Sequence, residues 1–369
     1  MKKQFLYKIF FFTVILSFAA CKDPIYFNIS QEEKMLEPII KGSPTDFVLF
    51  NSEIYVVSGR ELYKYDGTNP TTGRGTWREI TTVGGKIFAL AATNTNLYAV
   101  CIVSDKRVLK VSADGISWSN DANYEGQTIN TIYSANNQLF IGAGVYGSYY
   151  ILCGTNRILD NARNNMLNGV AHLSGEYFLS VKDLYSEDGG GIYKTTTPTS
   201  GTATLVSSGP FMGIISANGS VKAITRDGTI CNVTPNFSRG PSIGDHLATG
   251  ALAVWKEGSN YLLLAGRQNK LGTNVTSGYS HGYMEIGIDV SGNITGSFVE
   301  PGNSNITTVK NRNNDNDYGN GHYKATIGQY PVNGLFQASD STLFASTQQN
   351  GVWSYRDRKD IGWSWNAED

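Results

Sequence analysis

Apolar and polar residues alternate along most of the chain in short runs that are separated by Asn, Gly, Ser and Asp. Runs of four residues begin a recurring unit at 47–50, 87–90, 130–133, 170–173, 213–216, 252–255 and 334–337. Alternation over so few residues, between turn-forming residues, predicts β-strands. Successive runs start 40, 43, 40, 43, 39 and 82 residues apart, so a unit of about 40 residues repeats along the chain.

Each unit contains more than one such strand. Second strands are predicted at 54–57, 97–100, 139–142, 177–180, 220–223, 261–264 and 343–346. Residue pairs such as Asn136-Asn137 and Asn218-Gly219 separate the first strand from the second, and these residues accept the positive φ of tight hairpins. A third strand is clear in six units, and Trp77, Trp118 and Trp363 or Trp365 mark a fourth.

Four strands repeated every 40 residues or so are typical of the blades of a β-propeller. The sequence therefore predicts an all-β fold with seven four-stranded blades, and six or eight blades remain as alternatives. Residues 282–300 supply the last strands of the sixth unit, so the Asn-rich stretch 303–330 is interpreted as an insertion. The last unit contains its own fourth strand at 363–366, so closing the ring need not borrow an N-terminal strand.

The N-terminus carries a targeting signal. Three lysines lie within the first eight residues, and residues 9–20 form an uncharged, mostly apolar run. This run is too short to span a bilayer, which takes about 20 residues, but it suits the apolar region of a signal peptide.

Two small residues, Ala19 and Ala20, precede Cys21. The arrangement resembles a bacterial lipobox, although Phe18 stands where that motif usually has an aliphatic residue. The resemblance implies that residues 1–20 are a signal peptide and that Cys21 carries lipid. The mixed, Pro-containing segment that follows predicts a tether over 21–43, before a single propeller at 44–369 that the repeats predict. We therefore expect a protein of the bacterial cell envelope that is anchored to a membrane, the outer membrane, by its lipid.

Composition narrows the classes of partner. Of the 369 residues 40% are hydrophobic and 17% are charged, and the formal net charge is −1, so the chain can bury a large core and has no electrostatic basis for binding nucleic acid. The other cysteines, Cys101, Cys153 and Cys231, lie in three different units and are expected to be small buried side chains. Their spacing matches no zinc motif. We expect a monomer.

The segment Ser112-Ala113-Asp114-Gly115-Ile116-Ser117-Trp118 resembles a shortened Asp-box, the turn between outer strands of sialidase-type (BNR-like) propellers. Looser copies start at Tyr65-Asp66-Gly67 and at Arg356-Asp357. The resemblance implies a propeller fold. Sialidase chemistry would require an arginine cluster on the inner strands with a Tyr–Glu pair and an acidic residue. The seven inner segments contain no Arg, Asp or Glu, so no catalytic residue is assigned.

Residues 311–322 alternate Asn and Asp, and Asp315 and Asp317 resemble ligands of a calcium loop. The Gly and Glu that an EF-hand requires are missing from their positions, so the pattern favours a solvated polar loop. No other metal and no cofactor are predicted.

Tyrosines in two loop-rich zones are the clearest sign of a binding surface, because Tyr offers a large contact area at low entropy cost. The candidate ligand contacts are Tyr146, Tyr149, Tyr279, Tyr283, Tyr318 and Tyr323; the alternative is that they pack within and between blades. We expect a lipid-anchored binding module for a protein or a glycan. A saccharide-directed hydrolase or lyase and a structural surface antigen are the alternatives.

Overall fold

A computed structural model describes residues 40, 42–70, 73–161, 165–257, 260–269, 281–301, 326–358 and 362–368. These residues form seven four-stranded sheets, and in every sheet the strands follow chain order and pair antiparallel. Within the described ranges the helical elements are single 3₁₀ turns at Thr81–Val83, Ala122–Tyr124 and Ile327–Gln329. The fold is the predicted β-propeller, and it has seven blades rather than six or eight.

The blades follow one another along the chain. Blade 1 contains β1 (Val48–Phe50), β2 (Glu53–Ser58), β3 (Glu61–Thr68) and β4 (Gly75–Ile80). Blade 2 contains β5 (Lys86–Ala92), β6 (Leu97–Val103), β7 (Lys106–Ser112) and β8 (Ser119–Asn120). Blade 3 contains β9 (Ile129–Ala135), β10 (Gln138–Val145), β11 (Ser148–Cys153) and β12 (Asn156–Asn161). Blade 4 contains β13 (Asn165–Leu173), β14 (Glu176–Asp183), β15 (Gly190–Thr195) and β16 (Thr204–Ser208).

The remaining three blades have the same plan. Blade 5 contains β17 (Phe211–Ala217), β18 (Ser220–Thr225), β19 (Thr229–Asn232) and β20 (Ser238–Ser242). Blade 6 contains β21 (His246–Glu257), β22 (Asn260–Asn269), β23 (Gly282–Ile288) and β24 (Ile294–Val299). Blade 7 contains β25 (Val332–Gln337), β26 (Leu343–Thr347), β27 (Val352–Arg358) and β28 (Gly362–Ala367). The last blade thus takes its fourth strand from the C-terminal unit, as the sequence predicted.

The predicted hairpins between first and second strands have the backbone that their residues favour. At the turn from β9 to β10, Asn136 and Asn137 have φ of 43° and 62°. Left-handed backbone at two successive residues defines the tight hairpin turn that matches strand twist. It also fixes the register, in which Ala135 pairs with Gln138.

Seven apolar clusters hold the ring together, one at each interface between neighbouring blades. The cluster that joins blade 7 to blade 1 contains Phe47, Val56 and Trp77 from blade 1 and Phe344 and Val352 from blade 7. An open arc of seven blades would have six interfaces, so the seventh cluster closes the ring. We call this blade 7–blade 1 interface the closing seam.

The aspartates of two Asp-box-like turns, Asp114 and Asp66, make local contacts within their blades. The Asp114 carboxylate accepts the backbone N–H groups of Ile116 and Ser117 at 2.8 and 2.7 Å and the Ser112 hydroxyl at 2.9 Å, and these bonds hold its pKa well below the usual range. Asp66, in the looser copy of this turn, instead pairs with Arg78 at 2.8 Å.

The three cysteines Cys101, Cys153 and Cys231 are buried in three different blades with free thiols, as predicted. Burial raises the pKa of each thiol to about 11. A thiol with so high a pKa remains protonated and unreactive near neutral pH. These side chains therefore act as small apolar packing residues.

Candidate functional site

Two exposed tyrosines from neighbouring blades meet on one face of the ring. Because every blade has the same strand order and direction, the turns between second and third strands lie on a common face, which we call the upper face. Tyr146 lies in this turn of blade 3 and Tyr185 in the corresponding loop of blade 4, and their rings pack edge to face with centroids 5.2 Å apart. They remain 69% and 67% exposed, so the pair forms a ridge open to solvent.

Aliphatic side chains extend this ridge. Val145 precedes Tyr146 and Leu184 precedes Tyr185, and both are exposed. Exposed apolar side chains grouped in this way are uncommon on a monomer and mark interaction surfaces. We call the four residues Val145, Tyr146, Leu184 and Tyr185 the apolar ridge.

A first recess of about 920 Å³ lies on the blade 2–blade 3 side of the ridge, and Tyr146 and Tyr149 contribute to its wall. Polar contacts fix part of its lining: Arg107 donates to the Asn130 side chain, and Asn130 Nδ2 donates to the Gly144 carbonyl at 2.9 Å. The volume is in the range of sites that hold a small ligand or a short stretch of polypeptide.

A second recess of about 350 Å³ lies on the other side of the ridge, between blades 4 and 5. Lys182, Tyr185, Met212 and Arg226 are among its lining residues. Arg226 forms an ion pair with Glu187 across the recess at 2.5 Å. Burial lowers the pKa of Lys182, and no described residue forms a hydrogen bond or an ion pair with its ammonium group.

The structure places the predicted tyrosines in different environments. Tyr146 is on the ridge, and the half-buried Tyr149 lines the first recess. Tyr283 is 0% exposed and packs edge to face on Trp365 with ring centroids 5.8 Å apart, so its prediction as a ligand contact is wrong. Tyr279, Tyr318 and Tyr323, the calcium candidates Asp315 and Asp317, and Cys21 lie outside the described residues.

Sequence reasoning missed half of the ridge. Leu184 and Tyr185 lie in the loop between β14 and β15, beside acidic and glycine residues, and no binding role was predicted for this loop. Leu184 and Tyr185, an aliphatic and an aromatic residue side by side in a polar loop, were the signal in the sequence that could have pointed to this surface. The contact with Tyr146 was not readable, since it depends on how two neighbouring blades are placed.

Another residue missed in the sequence is Asp46, which precedes the first inner strand. Its backbone adjoins Gly334 on the inner strand of blade 7, and its charge acts on Tyr133 on the inner strand of blade 3, so Asp46 lies on the inner side of the ring. Burial raises the pKa of Asp46 to about 7 against the opposing effect of hydrogen bonds from Phe47 and Leu335. Among the described residues no second carboxylate contributes to this shift.

The described residues also bear on metal binding and on membrane insertion. Among them no group of three His, Cys, Asp or Glu side chains is arranged to hold a metal ion. The helices found in those same residues are too short or too polar to cross a membrane.

The strand order and the closed set of interfaces define the chain as a seven-bladed β-propeller. The sequence matches the TP013X lipoprotein family over residues 9–350, and the chain belongs to this family. Membership is consistent with a lipid-anchored protein of the cell envelope. No curated protein matches the sequence.

Solved propellers resemble the structure at low sequence identity. YCF48 bound to D1 peptide has a TM-score of 0.51 and 13% identity over 87% of this chain and 93% of that chain. The WD40 propeller domain of Doa1 has a TM-score of 0.52 and 8% identity over 88% and 96%. An ancestral GH74 enzyme has a TM-score of 0.52 and 16% identity over 90% of this chain and 47% of its own. At these identities the likeness establishes the fold alone.

Proposed function

We propose that this lipoprotein is a binding module that engages a protein partner through the apolar ridge and its two recesses. The observation that carries the proposal is the exposed Tyr146–Tyr185 pair, at 5.2 Å between ring centroids, with a recess on each side. Aromatic side chains at the centre of a surface, with polar recesses around them, are the usual composition of a protein interface.

The ridge favours a protein over a glycan as partner. Val145 and Leu184 present branched aliphatic groups beside the rings, and such groups bury well against apolar side chains but make no hydrogen bonds to sugar hydroxyls. The two tyrosine rings also meet edge to face, with 86° between their planes, so they do not form one flat platform for a sugar ring. One structural neighbour is described as bound to a peptide, and this agrees with the proposal at the level of the fold.

We further propose that Cys21 carries the lipid and holds the propeller at the outer membrane. The lipobox-like residues before Cys21 support this site, and the family match extends across it. The propeller would then be tethered through residues 21–43, and its partner would lie within reach of the membrane surface.

Site-specific photo-cross-linking tests the binding surface. A benzoylphenylalanine placed at Val145 or Leu184 should form an adduct with one defined protein in cells, and Tyr146→Ala with Tyr185→Ala should abolish the adduct. The matched control is Leu205, which is 55% exposed on β16 of blade 4, away from the ridge. Equal labelling at Leu205, or no protein adduct together with binding on a glycan array, would overturn the proposal.

A further inference from the structure

The second recess contains a lysine, Lys182, for which the described residues provide no ion-pair partner. Lys182 lies near the end of β14, where it pairs in register with Met166 of β13. It is half-buried and lines the recess together with Pro210 and Met212. The lowered pKa of Lys182 has burial as its cause, with no neighbouring carboxylate raising it. Keeping an ammonium group partly out of water without a counter-ion costs free energy.

Both acidic residues that line the recess contact groups other than Lys182. Asp183 accepts the backbone N–H groups of Tyr185 and Ser186 at 2.9 and 3.1 Å. Glu187 is paired with Arg226. Neither carboxylate forms an ion pair with Lys182, whereas Arg226, the other cation of the recess, is paired.

We propose that the second recess binds a carboxylate group of the partner polypeptide, an acidic side chain or its C-terminus, with the Lys182 ammonium as counter-ion. This rests on the proposed function, because Tyr185 belongs both to the recess and to the apolar ridge. A bound carboxylate would form a charge-assisted hydrogen bond with Lys182. The apolar neighbour of the acidic residue would pack on Leu184 and Tyr185.

The surroundings favour a peptide carboxylate over the uronate of an acidic glycan. Pro210 and Met212 lie on the blade 5 side beside Arg226, and these two apolar side chains suit the apolar neighbour of a peptide carboxylate better than the hydroxyl groups of a sugar. A peptide with an acidic residue next to an aliphatic or aromatic residue would place its carboxylate at Lys182 and its apolar side chain on the apolar ridge.

Selection from a phage-displayed library of random dodecapeptides tests this inference on the full-length lipoprotein in mild detergent. Selected peptides should contain Asp, Glu or a required free C-terminus beside an apolar residue. Replacing that carboxylate by its amide should weaken binding at least tenfold. Lys182→Met, which keeps the apolar stem, should remove this difference. Lys194→Met is the matched control, since Lys194 lies on the next strand and pairs with Glu176 at 3.0 Å.

The outcomes separate the two proposals. Peptides that depend on Tyr146 and Tyr185, but bind their amide forms and the Lys182→Met protein equally well, would overturn the carboxylate site and leave the binding surface standing. If no peptide depends on the two tyrosines, the binding surface fails, and the carboxylate site in the form proposed here fails with it.

A direct probe of Lys182 needs no selected peptide. After reductive methylation with ¹³C-formaldehyde, the dimethyl-lysine signal that disappears in Lys182→Met can be followed by NMR. Sodium acetate should shift this signal saturably, and sodium chloride at equal ionic strength should not. Indifference to acetate would overturn the site, and saturation by glucuronate alone would assign it to an acidic glycan instead.

Discussion

Arg356 donates through one nitrogen, Nη2, to both carboxylate oxygens of Glu368, each at 2.9 Å. Both residues belong to blade 7 and are buried, and both hydrogen-bond Ser354 of the same blade. Further hydrogen bonds of each residue cross the closing seam. Trp77 Nε1 of blade 1 donates to Glu368 Oε2 at 3.2 Å, and Arg356 Nη1 donates to the Tyr65 hydroxyl at 3.1 Å. A buried ion pair thus joins the last blade to the first where no shared strand does so.

Glu368→Gln should lower the free energy of unfolding by about 3 kcal/mol, because it leaves the Arg356 guanidinium buried without its counter-ion. Urea unfolding followed by tryptophan fluorescence measures this loss. Asp66→Asn is the control, since the Asp66–Arg78 pair is exposed and should contribute far less. Similar losses of unfolding free energy in both variants would contradict the expectation that the buried pair contributes more stability than the exposed pair.

Gly75 leaves the space that the Glu368 carboxylate occupies. A Cβ at position 75 would lie 1.6 Å from Glu368 Oε2, so Gly75→Ala must displace the ion pair and should destabilise the fold by about 1–3 kcal/mol. Gly240→Ala is the comparison, because its Cβ would approach no heavy atom closer than 3.1 Å. The midpoint of thermal unfolding should be clearly lower for Gly75→Ala than for Gly240→Ala, and equal midpoints would contradict the steric argument.

The blades were predictable because each is encoded locally, by four short alternating runs and turn residues such as Asn136-Asn137. The hydrogen bonds that the Arg356–Glu368 ion pair makes across the closing seam were not predictable. Trp77 and Glu368, for example, lie 291 positions apart and meet only after the ring forms. Tyr283 was misassigned for a related reason. It was grouped with tyrosines of a loop-rich zone, but it is the second residue of β23, a strand whose two faces are both covered by neighbouring blades.

The contrast between Tyr283 and Tyr146 gives a test of which tyrosine belongs to the core. Tyr283→Ala should cost about 3–5 kcal/mol of unfolding free energy, because it leaves a cavity among Trp365 and its neighbours. Tyr146→Ala should change stability by less than about 0.5 kcal/mol, as expected for an exposed side chain. Urea titrations of the two variants compare them, and a strongly destabilised Tyr146→Ala would mean that the ridge is a packing feature.

Cys21→Ser should release the protein from the membrane, since a thioether-linked lipid cannot form on serine. The wild-type protein is expected to enter the detergent-rich phase of a Triton X-114 extraction, and the variant should stay in the aqueous phase with altered mobility in gel electrophoresis. Lys22→Ser provides a matched control at the neighbouring position. Unchanged partition and mobility of Cys21→Ser would rule out lipid attachment at this cysteine.

Asp46 should make stability fall as pH rises. Its pKa is about 7 in the folded protein against a reference value of 3.8, so between these values the folded state keeps a proton that the unfolded state has lost. The stabilisation is complete below about pH 4 and is lost as pH rises through 7. Asp46 is surrounded by protein on the inner side of the ring, which raises its pKa, but its side chain is still reached by water. We therefore expect a loss of about 1–2 kcal/mol, less than the full shift would give.

Asp46→Asn should flatten this dependence while keeping an oxygen to accept the Phe47 N–H, which lies 2.9 Å from Asp46 Oδ1. The variant should therefore be more stable than the wild type at pH 8, with the difference shrinking toward pH 4. Asp105→Asn, on the exposed turn between β6 and β7, is the comparison substitution. Urea unfolding at intervals from pH 4 to 8 measures all three proteins, and parallel curves for Asp46→Asn and the wild type would show that Asp46 ionises freely inside the ring.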